Sequence, residues 1–179
     1  MGKIDYQAIY ERNRFGWHAM TEEPQRYIGL LAGHYSDSNH FVYELLQNAE
    51  DACAETVVIE YHSDRLIFRH DGKPFDEADV RGVCSMLEGT KDRHDAQTIG
   101  RFGMGFKSVY KYTSCPEIYS DDESFVIQNF LLPEEIKDEW DYRAEKEALS
   151  YSQEADEDYR PFADSKHLTK IVIPFQERT

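Results

Sequence analysis

The sequence has no apolar run of the roughly 18 residues that a membrane-spanning helix needs, and its start, MGKIDYQAIYERNRFGW, has no signal-peptide core. It has only three cysteines, Cys53, Cys84 and Cys115, and no CxxC pair. Its seven histidines form no HxxxH pair. These absences predict a cytoplasmic protein with reduced thiols, and they disfavour a disulfide framework or a metal site made by the protein alone.

Positive charge is also scarce, because 20 Lys and Arg residues stand against 35 Asp and Glu, for a net charge of −15. Between positions 134 and 164, twelve acidic residues stand against four basic ones, so this stretch carries −8, about half of the total. Such a field opposes direct binding of nucleic acid. A polyanionic ligand would therefore need a local set of backbone donors, a few cations and a metal ion.

The length of 179 residues and the hydrophobic content of 40% predict one globular domain over residues 1–179. Strand patterns mixed with helix patterns indicate an α+β fold with helices packed on one face of a sheet. We expect a helix from Asp76 to about Leu87, and another that follows GRFGMG. Because Pro133 suits a first helical position, we also expect a helix there, followed by disordered residues, inside an acidic insertion around 134–165. The predicted strands are TVVIEYH, RLIFRH, PEIYS, SFVIQNF and LTKIVIPF.

The segment FVYELLQNAEDAC, residues 41–53, has the residue pattern of a helix with three distinct faces. Glu44, Asn48 and Asp51 fall within roughly 60° of one another around the helix axis. An amphipathic helix needs only an apolar and a polar face, and two other faces already serve those roles. The trio is therefore either a solvated strip on a core helix or a strip that binds a ligand.

The segment GRFGMGFKS, residues 100–108, places glycines in the order G-x-x-G-x-G. It is not a P-loop, because Phe106 separates Gly105 from Lys107 and no buried strand precedes it. The Rossmann pattern has its glycines in a different order. Glycines allow a ligand to approach the backbone, free N–H groups at a helix start attract phosphate, and Lys107 can add a charge. A flexible turn before a core helix explains the pattern equally well.

Together, E-x-x-x-N-A-x-D-A, a D-G loop after an apolar strand, G-x-x-G-x-G and a late strand with Thr169 occur in an order that resembles the GHKL ATPases. This family shares the Bergerat ATP-binding fold and includes the ninety-kilodalton heat-shock chaperones. The stretches YELLQNAEDA and IGRFGMGFKSVY are most similar to the sacsin-like N-terminal ATP-binding domain. The resemblance covers about residues 25–130 and the last strand, and it implies a two-layer sandwich with a mixed, mostly antiparallel sheet.

The resemblance also implies a role for each matching residue, with ATP and Mg²⁺ as cofactors. Glu44 is the general base that polarises the attacking water, Asn48 binds Mg²⁺, and Asp51 supports the adenine or ribose end. Lys91 can approach phosphate, although a solvated lysine is the favoured interpretation of this position. The other implied nucleotide-binding residues are Ala52, His70, Asp71, Gly72, Gly100, Arg101, Phe102, Gly103, Met104, Gly105, Phe106, Lys107 and Thr169.

One loop departs from the family. The adenine-reading loop of the family is D-x-G-x-G, whereas this chain has HDGKPF, so that His70 stands at the Asp position and Pro74 at the second glycine. Either the neighbouring Asp71 reaches the base or His70 reads it in another way. A third possibility is that His70 is only a strand-end residue with a satisfied ring.

The resemblance implies slow, Mg-dependent ATP hydrolysis that drives lid closure or dimerisation in a larger protein. We expect the chain to be an N-terminal fragment, with ATP and ADP as ligands, a second copy or further domains as partners, and neither membrane nor nucleic acid bound. One alternative is a non-hydrolysing nucleotide sensor or interaction module. Another, a histidine kinase catalytic domain, is disfavoured because ELLQN and GFKS look unlike that branch.

Overall fold

The computed structural model describes residues 3–20, 40–85, 105–137, 140–150 and 161–175. The helices are α1 (Tyr6–Met20), α2 (His40–Asp51), α3 (Glu77–Val83), the 3-10 helix η1 (Phe106–Lys111) and α4 (Tyr142–Ser150). The strands are β1 (Val57–Tyr61), β2 (Arg65–His70), β3 (Glu117–Ser120), β4 (Glu123–Gln128), β5 (Leu132–Glu135) and β6 (Thr169–Pro174).

The six strands form one sheet in the order β1-β2-β6-β3-β4-β5, and every neighbouring pair is antiparallel. The last strand in the chain, β6, lies in the middle of the sheet between β2 and β3. Strands and helices are mixed along the chain without strict alternation. The α+β expectation is therefore confirmed, and the arrangement fits a two-layer sandwich.

One face of the sheet forms the core together with α1, α2, α3 and η1. The registers place Phe68 beside Ile171 and Ile171 beside Ile118, and all three side chains are buried. Burying each such side chain contributes about 1.5–3 kcal/mol. The helices contribute Ile9, Leu45, Val80 and Phe106 to the same buried cluster.

No helix in the described part of the chain is long and apolar enough to cross a membrane.

Helix α3 begins where the sequence predicts. Asp76 is its N-cap and accepts a hydrogen bond from the Asp79 backbone N–H at 3.0 Å, while the Asp79 carboxylate accepts one from the Asp76 N–H at 3.0 Å. This reciprocal capping box satisfies two N–H groups that would otherwise lack partners. The helix ends at Val83, and the expected end near Leu87 lies outside the described residues.

The helix expected at Pro133 is wrong. Pro133 lies in β5, opposite Ile127 of β4. Strand β5 is one of the two edge strands of the described sheet. A residue without an N–H group there removes no hydrogen bond from the interior of the sheet, so proline is tolerated. The helix of the acidic stretch comes later, as α4.

The opposite face of the sheet is covered in part by α4. Arg69 and Lys170 are register partners, and the Glu145 carboxylate accepts a hydrogen bond from each, at 2.8 and 2.7 Å. Arg69 also donates to Glu60 at 2.6 Å, and the Lys170 Nζ lies 4.0 Å from the centroid of the Trp140 ring. Part of the acidic stretch is thus anchored to the sheet by its own charges.

We predict that Glu145→Gln lowers the free energy of unfolding by about 1–3 kcal/mol, because it leaves the largely buried Arg69 and Lys170 without a shared carboxylate. The matched control is Glu147→Gln, an exposed position on the same helix, which should change stability by less than about 0.5 kcal/mol. Urea denaturation measures both. Equal effects of the two substitutions would contradict the anchoring role of Glu145.

Candidate functional site

Helix α2 carries the polar trio along the edge of its buried face. Leu45 and Ala49 are each 1% exposed and fix the helix against the core. Asn48 is only 5% exposed, while the Glu44 side chain is 27% exposed. Neither residue is therefore a fully solvated surface group. Because the core contacts orient the helix, the carboxylate and the amide are held on a fixed strip.

The carboxylate of Glu44 lies directly against the backbone of Gly105. A Cβ atom built on Gly105 would lie 1.7 Å from Glu44 Oε2 and 2.6 Å from its Cδ. The φ of Gly105 is −62°, an ordinary helical value, so space and not backbone conformation requires glycine here. The last glycine of the G-x-x-G-x-G segment and the first residue of the trio are thus brought together.

The carboxylate has a second neighbour that the sequence analysis missed. His40 Nε2 lies 2.8 Å from Glu44 Oε1, one helical turn earlier. Residues four apart share a helix face, so this spacing could have identified the pair. The contact orients the carboxylate while its other oxygen stays against Gly105.

Asn48 carries an unmet hydrogen-bonding group. Its Nδ2 is buried and has no partner among the residues that the structure describes. A buried donor without an acceptor costs about 1–3 kcal/mol, unless a ligand oxygen meets it. A half-turn of the amide exchanges its nitrogen and oxygen, so the same side chain can meet a phosphate oxygen or a metal ion.

The donor set suits Mg²⁺ carried by a polyphosphate. Mg²⁺ usually takes one or two protein oxygens and fills its other positions with phosphate oxygens and water. Asn48 can supply such an oxygen. Among the described residues there is no group of three or more His, Cys, Asp or Glu side chains that could hold a metal without help.

The far end of α2 meets the D-G loop. A Cβ atom on Gly72 would lie 2.7 Å from the Ala52 carbonyl oxygen and 2.9 Å from the Ala52 Cβ. The Lys73 N–H donates to the same carbonyl at 2.8 Å. Ala52 and Gly72 are therefore brought together, and the half-buried Asp51 precedes them at the end of the helix.

His70 and Thr169 lie side by side in β2 and β6 on the helix-covered face, 1% and 0% exposed. The Gly72 N–H donates to His70 Nδ1 at 3.1 Å, so His70 is fixed to the loop that contacts α2. Burial lowers the pKa of His70 to about 4, against a smaller raising effect of Asp71, and the ring is neutral near pH 7. The Thr169 hydroxyl lies 2.7 Å from that of Ser120, a residue with no distinguishing signal in the sequence.

Both carboxylate oxygens of Asp71 accept hydrogen bonds within the fold. Its Oδ1 accepts hydrogen bonds from the Glu55 and Thr56 N–H groups, both at 2.8 Å, and its Oδ2 accepts one from the Ser165 hydroxyl at 2.8 Å. Burial by itself would raise the pKa of Asp71, but these bonds outweigh it and the pKa is lowered. The carboxylate therefore ties the end of α2 to the segment before β6.

Lys107 is placed differently from the expectation. Its Nζ donates to the carbonyl oxygens of Val83 and Phe130, the latter at 2.9 Å, inside the core. Burial lowers its pKa to about 8. The ammonium group joins the end of α3 to the β4–β5 turn, so the structure does not bring it to Glu44 or Asn48 as a phosphate contact.

The helix expected after the glycines is present, and it is a six-residue 3-10 helix. The Ser108 N–H and hydroxyl both donate to the Gly105 carbonyl, at 3.0 and 2.7 Å, which tightens this turn. The Phe106 side chain is fully buried, so only its backbone could face a ligand. Six predicted site residues lie outside the described residues: Lys91, Gly100, Arg101, Phe102, Gly103 and Met104.

The family described as the Sacsin domain matches residues 60–177 of this chain. Sacsin of Homo sapiens is 32% identical in an alignment of 117 positions that covers 56% of this chain and 2% of that protein. Protein NO VEIN of Arabidopsis thaliana is 30% identical in an alignment of 96 positions that covers 51% of this chain and 4% of that protein. The chain therefore spans only a small part of the length of these relatives.

A solved structure has a similar fold. The crystal structure of the N terminal domain of a DNA repair protein superposes with a TM-score of 0.51 and covers 86% of this chain and 42% of that one. The sequence identity is 12%, so the likeness concerns the fold alone.

We predict a ranked effect of three Gly→Ala substitutions on the free energy of unfolding. Gly72→Ala should cost about 1–3 kcal/mol, since its Cβ meets the Ala52 backbone. Gly105→Ala should cost less than about 1 kcal/mol, because the end of a flexible side chain can move away. Gly82→Ala is the control, with nothing within 4 Å, and should be neutral or stabilising by up to about 1 kcal/mol. Urea denaturation gives the order, and a Gly105→Ala cost equal to that of Gly72→Ala would contradict this packing.

We predict that His70 makes stability depend on pH. The pKa of His70 is about 4 in the folded state and 6.5 in the unfolded state. Between these pH values the folded state therefore binds fewer protons than the unfolded state, and acid favours unfolding. The contribution of His70 to stability is complete above about pH 7.5, and about 2 kcal/mol of it is lost as the pH falls from there to about pH 5. His70→Asn keeps an acceptor for Gly72 and removes the titration. Urea denaturation at both pH values should give a flatter dependence for the variant; parallel lines would show that His70 does not titrate in this way.

Proposed function

The chain belongs to the Sacsin domain family, and from that premise we propose that it binds ATP with Mg²⁺ and hydrolyses it slowly. The proposal rests above all on one observation: the Glu44 carboxylate lies against Gly105, one turn from Asn48, whose buried Nδ2 has no partner among the described residues. A triphosphate with its metal ion requires a carboxylate, a carboxamide and backbone that is not covered by a side chain, and Glu44, Asn48 and Gly105 offer these groups.

In this proposal Glu44 is the general base. It accepts a proton from the water that attacks the γ-phosphate, and the His40 contact at 2.8 Å keeps its carboxylate in one orientation. Bound Mg²⁺ supplies neutralisation of the phosphate charge, and Asn48 is the residue that would hold it. Phosphoryl transfer depends mainly on positioning and charge, which suits a site with few reactive groups.

The two glycine contacts suggest how a nucleotide lies along α2. Glu44 and Ala52 are eight residues apart, which is about 12 Å along a helix. Gly105 marks the first end and Gly72 the second. We place the phosphates at the Glu44 end and the base at the end with Ala52, His70 and Thr169, with Asp51 toward the ribose or base. Such a span matches an extended nucleoside triphosphate.

The wider role follows the size of the relatives, because this chain corresponds to 2% of human sacsin. We propose that turnover of ATP to ADP drives closure or dimerisation within a longer protein, whose other domains deliver the output. The three cysteines are all free, which agrees with a reducing, cytoplasmic setting.

The second candidate is a nucleotide sensor without turnover. It is favoured by the same His40 contact, because a carboxylate oxygen that is engaged by an imidazole 2.8 Å away is hindered from accepting a proton from water. The two candidates share the binding step and differ only in phosphate release.

We predict that Glu44→Gln keeps Mg-ATP binding and loses about 10²–10⁴-fold in hydrolysis rate, because a general base contributes about that factor. Glu50→Gln, an exposed position on α2, is the matched control and should keep the parental rate. Calorimetry measures binding and phosphate release measures turnover. Parental turnover in Glu44→Gln would remove Glu44 as the base, and binding without turnover in the parent would select the sensor.

Asn48→Ala tests whether Asn48 binds the metal ion, as the same proposal assigns. It should weaken binding in the presence of Mg²⁺ by more than it weakens binding in EDTA, because the lost oxygen is the one assigned to the metal ion. An equal loss in both buffers would mean that Asn48 contacts the nucleotide and not the metal.

A further inference from the structure

Strand β1 is an unprotected edge of the described sheet. It pairs with β2 on one side and with no described strand on the other. Its sequence, VVIEY, contains neither proline nor lysine, the residues that usually protect an exposed edge. The opposite edge, β5, contains Pro133 and two exposed glutamates, and α1 packs against it. Only β5 therefore carries the features that prevent a further strand from pairing.

The backbone groups on the open side of β1 belong to every second residue. At the two ends of the strand, the His62 N–H and the Thr56 carbonyl oxygen both make hydrogen bonds toward β2, at 2.9 and 3.4 Å. In an antiparallel pair, residues that bond to one neighbour alternate with residues whose groups point to the other side. The even-numbered positions of β1 therefore bond to β2. Three residues point their N–H and C=O groups to the open side: Val57, Ile59 and Tyr61.

The same three residues place their side chains on the face of the sheet that forms the core. The register partners of Ile59 and Tyr61 are the buried Phe68 and Leu66. Nevertheless Ile59 is 41% exposed and Tyr61 is 77% exposed, although the Tyr61 ring lies 5.5 Å from that of Phe175. Exposed apolar side chains beside open backbone groups are typical of an edge that another strand covers.

We propose that β1 pairs with β1 of a second copy of this chain, in an antiparallel contact with Ile59 on the two-fold axis. Ile59 then lies opposite Ile59 of the second copy, and Val57 lies opposite Tyr61 of the second copy. Each of these pairs exchanges both of its backbone hydrogen bonds, because all the groups that face the axis point to the open side. The two sheets become one continuous sheet, and the contact closes after two copies.

The sequence of β1 suits pairing with itself in this register. Val57 opposite Tyr61 is a favourable pair of a β-branched and an aromatic residue. On the other face Val58 lies opposite Glu60, so no two carboxylates face each other, and Glu60 is already paired with Arg69 at 2.6 Å. A shift of two residues places Glu60 opposite itself or leaves Tyr61 without an opposite residue. A shift of one residue places open groups opposite residues that bond to β2.

The charge of the chain limits the strength of this contact. Each copy carries a net charge of −15, which repels a second copy at long range. We therefore expect a reversible dimer with a dissociation constant on the order of 100 µM, which becomes tighter when salt screens the repulsion. The contact uses neither Glu44 nor Asn48, so it forms without nucleotide and its test is separate from that of ATP turnover.

Analytical ultracentrifugation of the whole chain without nucleotide tests the contact over about 5–500 µM protein. We expect a concentration-dependent species of twice the 21.0 kDa mass of one chain. Its dissociation constant should fall at least about threefold between about 50 mM and about 500 mM NaCl. A protein that stays monomeric throughout overturns the proposal and leaves the edge to a strand of a different protein.

Substitutions at the axis give the sharper test. Ile59→Lys places two ammonium groups opposite each other and should weaken the dimer by at least about tenfold, even though it lowers the net negative charge. Phe15→Lys is the matched control, because it makes the same charge change at a 75% exposed position on α1, beside the other edge. It should keep the parental dissociation constant within about twofold. Equal behaviour of the two variants overturns the proposal.

Mixing two variants tests whether position 59 faces itself. Ile59→Glu should also weaken the dimer, whereas an equimolar mixture with Ile59→Lys should recover it, because opposite charges then meet at the axis. Circular dichroism checks that each variant is folded. Tyr61→Pro provides a backbone test, since it removes an N–H that points to the open side and none that bonds to β2. A mixture of folded variants that stays monomeric, or a Tyr61→Pro protein that dimerises as the parent does, overturns this register.

Discussion

The close approach of α2 to two glycines is the constraint on which the site depends. Gly105 leaves room for the Glu44 carboxylate, and Gly72 leaves room for the Ala52 backbone. Between these points Asn48 is held with a buried Nδ2 that no described residue meets. If either glycine carried a side chain, the helix or its carboxylate would have to shift, and α2 would no longer contact Gly105 and Gly72 together. Backbone contact, not side-chain packing, thus defines the length of the site.

Much of the fold could be predicted because its signals are local. The alternating strands, the capping box at Asp76 and the helix that carries Glu44 each occupy a short window of sequence. Pro133 shows the limit, since the first turn of a helix and an edge strand both tolerate the missing N–H, and only the finished sheet tells them apart.

Lys107 was misread for a different reason. A lysine after glycines suggests a phosphate contact, but its two carbonyl partners, at Val83 and Phe130, are more than twenty positions away on either side. Burial of a lysine with its own acceptors is a tertiary event, and local sequence gives no sign of it. His40 is the opposite case, because its contact with Glu44 follows from a spacing of four residues that is present in the local sequence.

The contact between Glu44 and Gly105 has an evolutionary consequence. Two positions that lie 61 apart in the chain, from 44 to 105, share one small volume, so a larger side chain at 105 displaces the Glu44 carboxylate from its place. Related sequences should therefore show paired exchange: where the glycine is replaced by a larger residue, the glutamate should be shortened or lost. Such lineages would keep the scaffold and abandon the carboxylate, and the pairing alone would distinguish them from lineages that retain it.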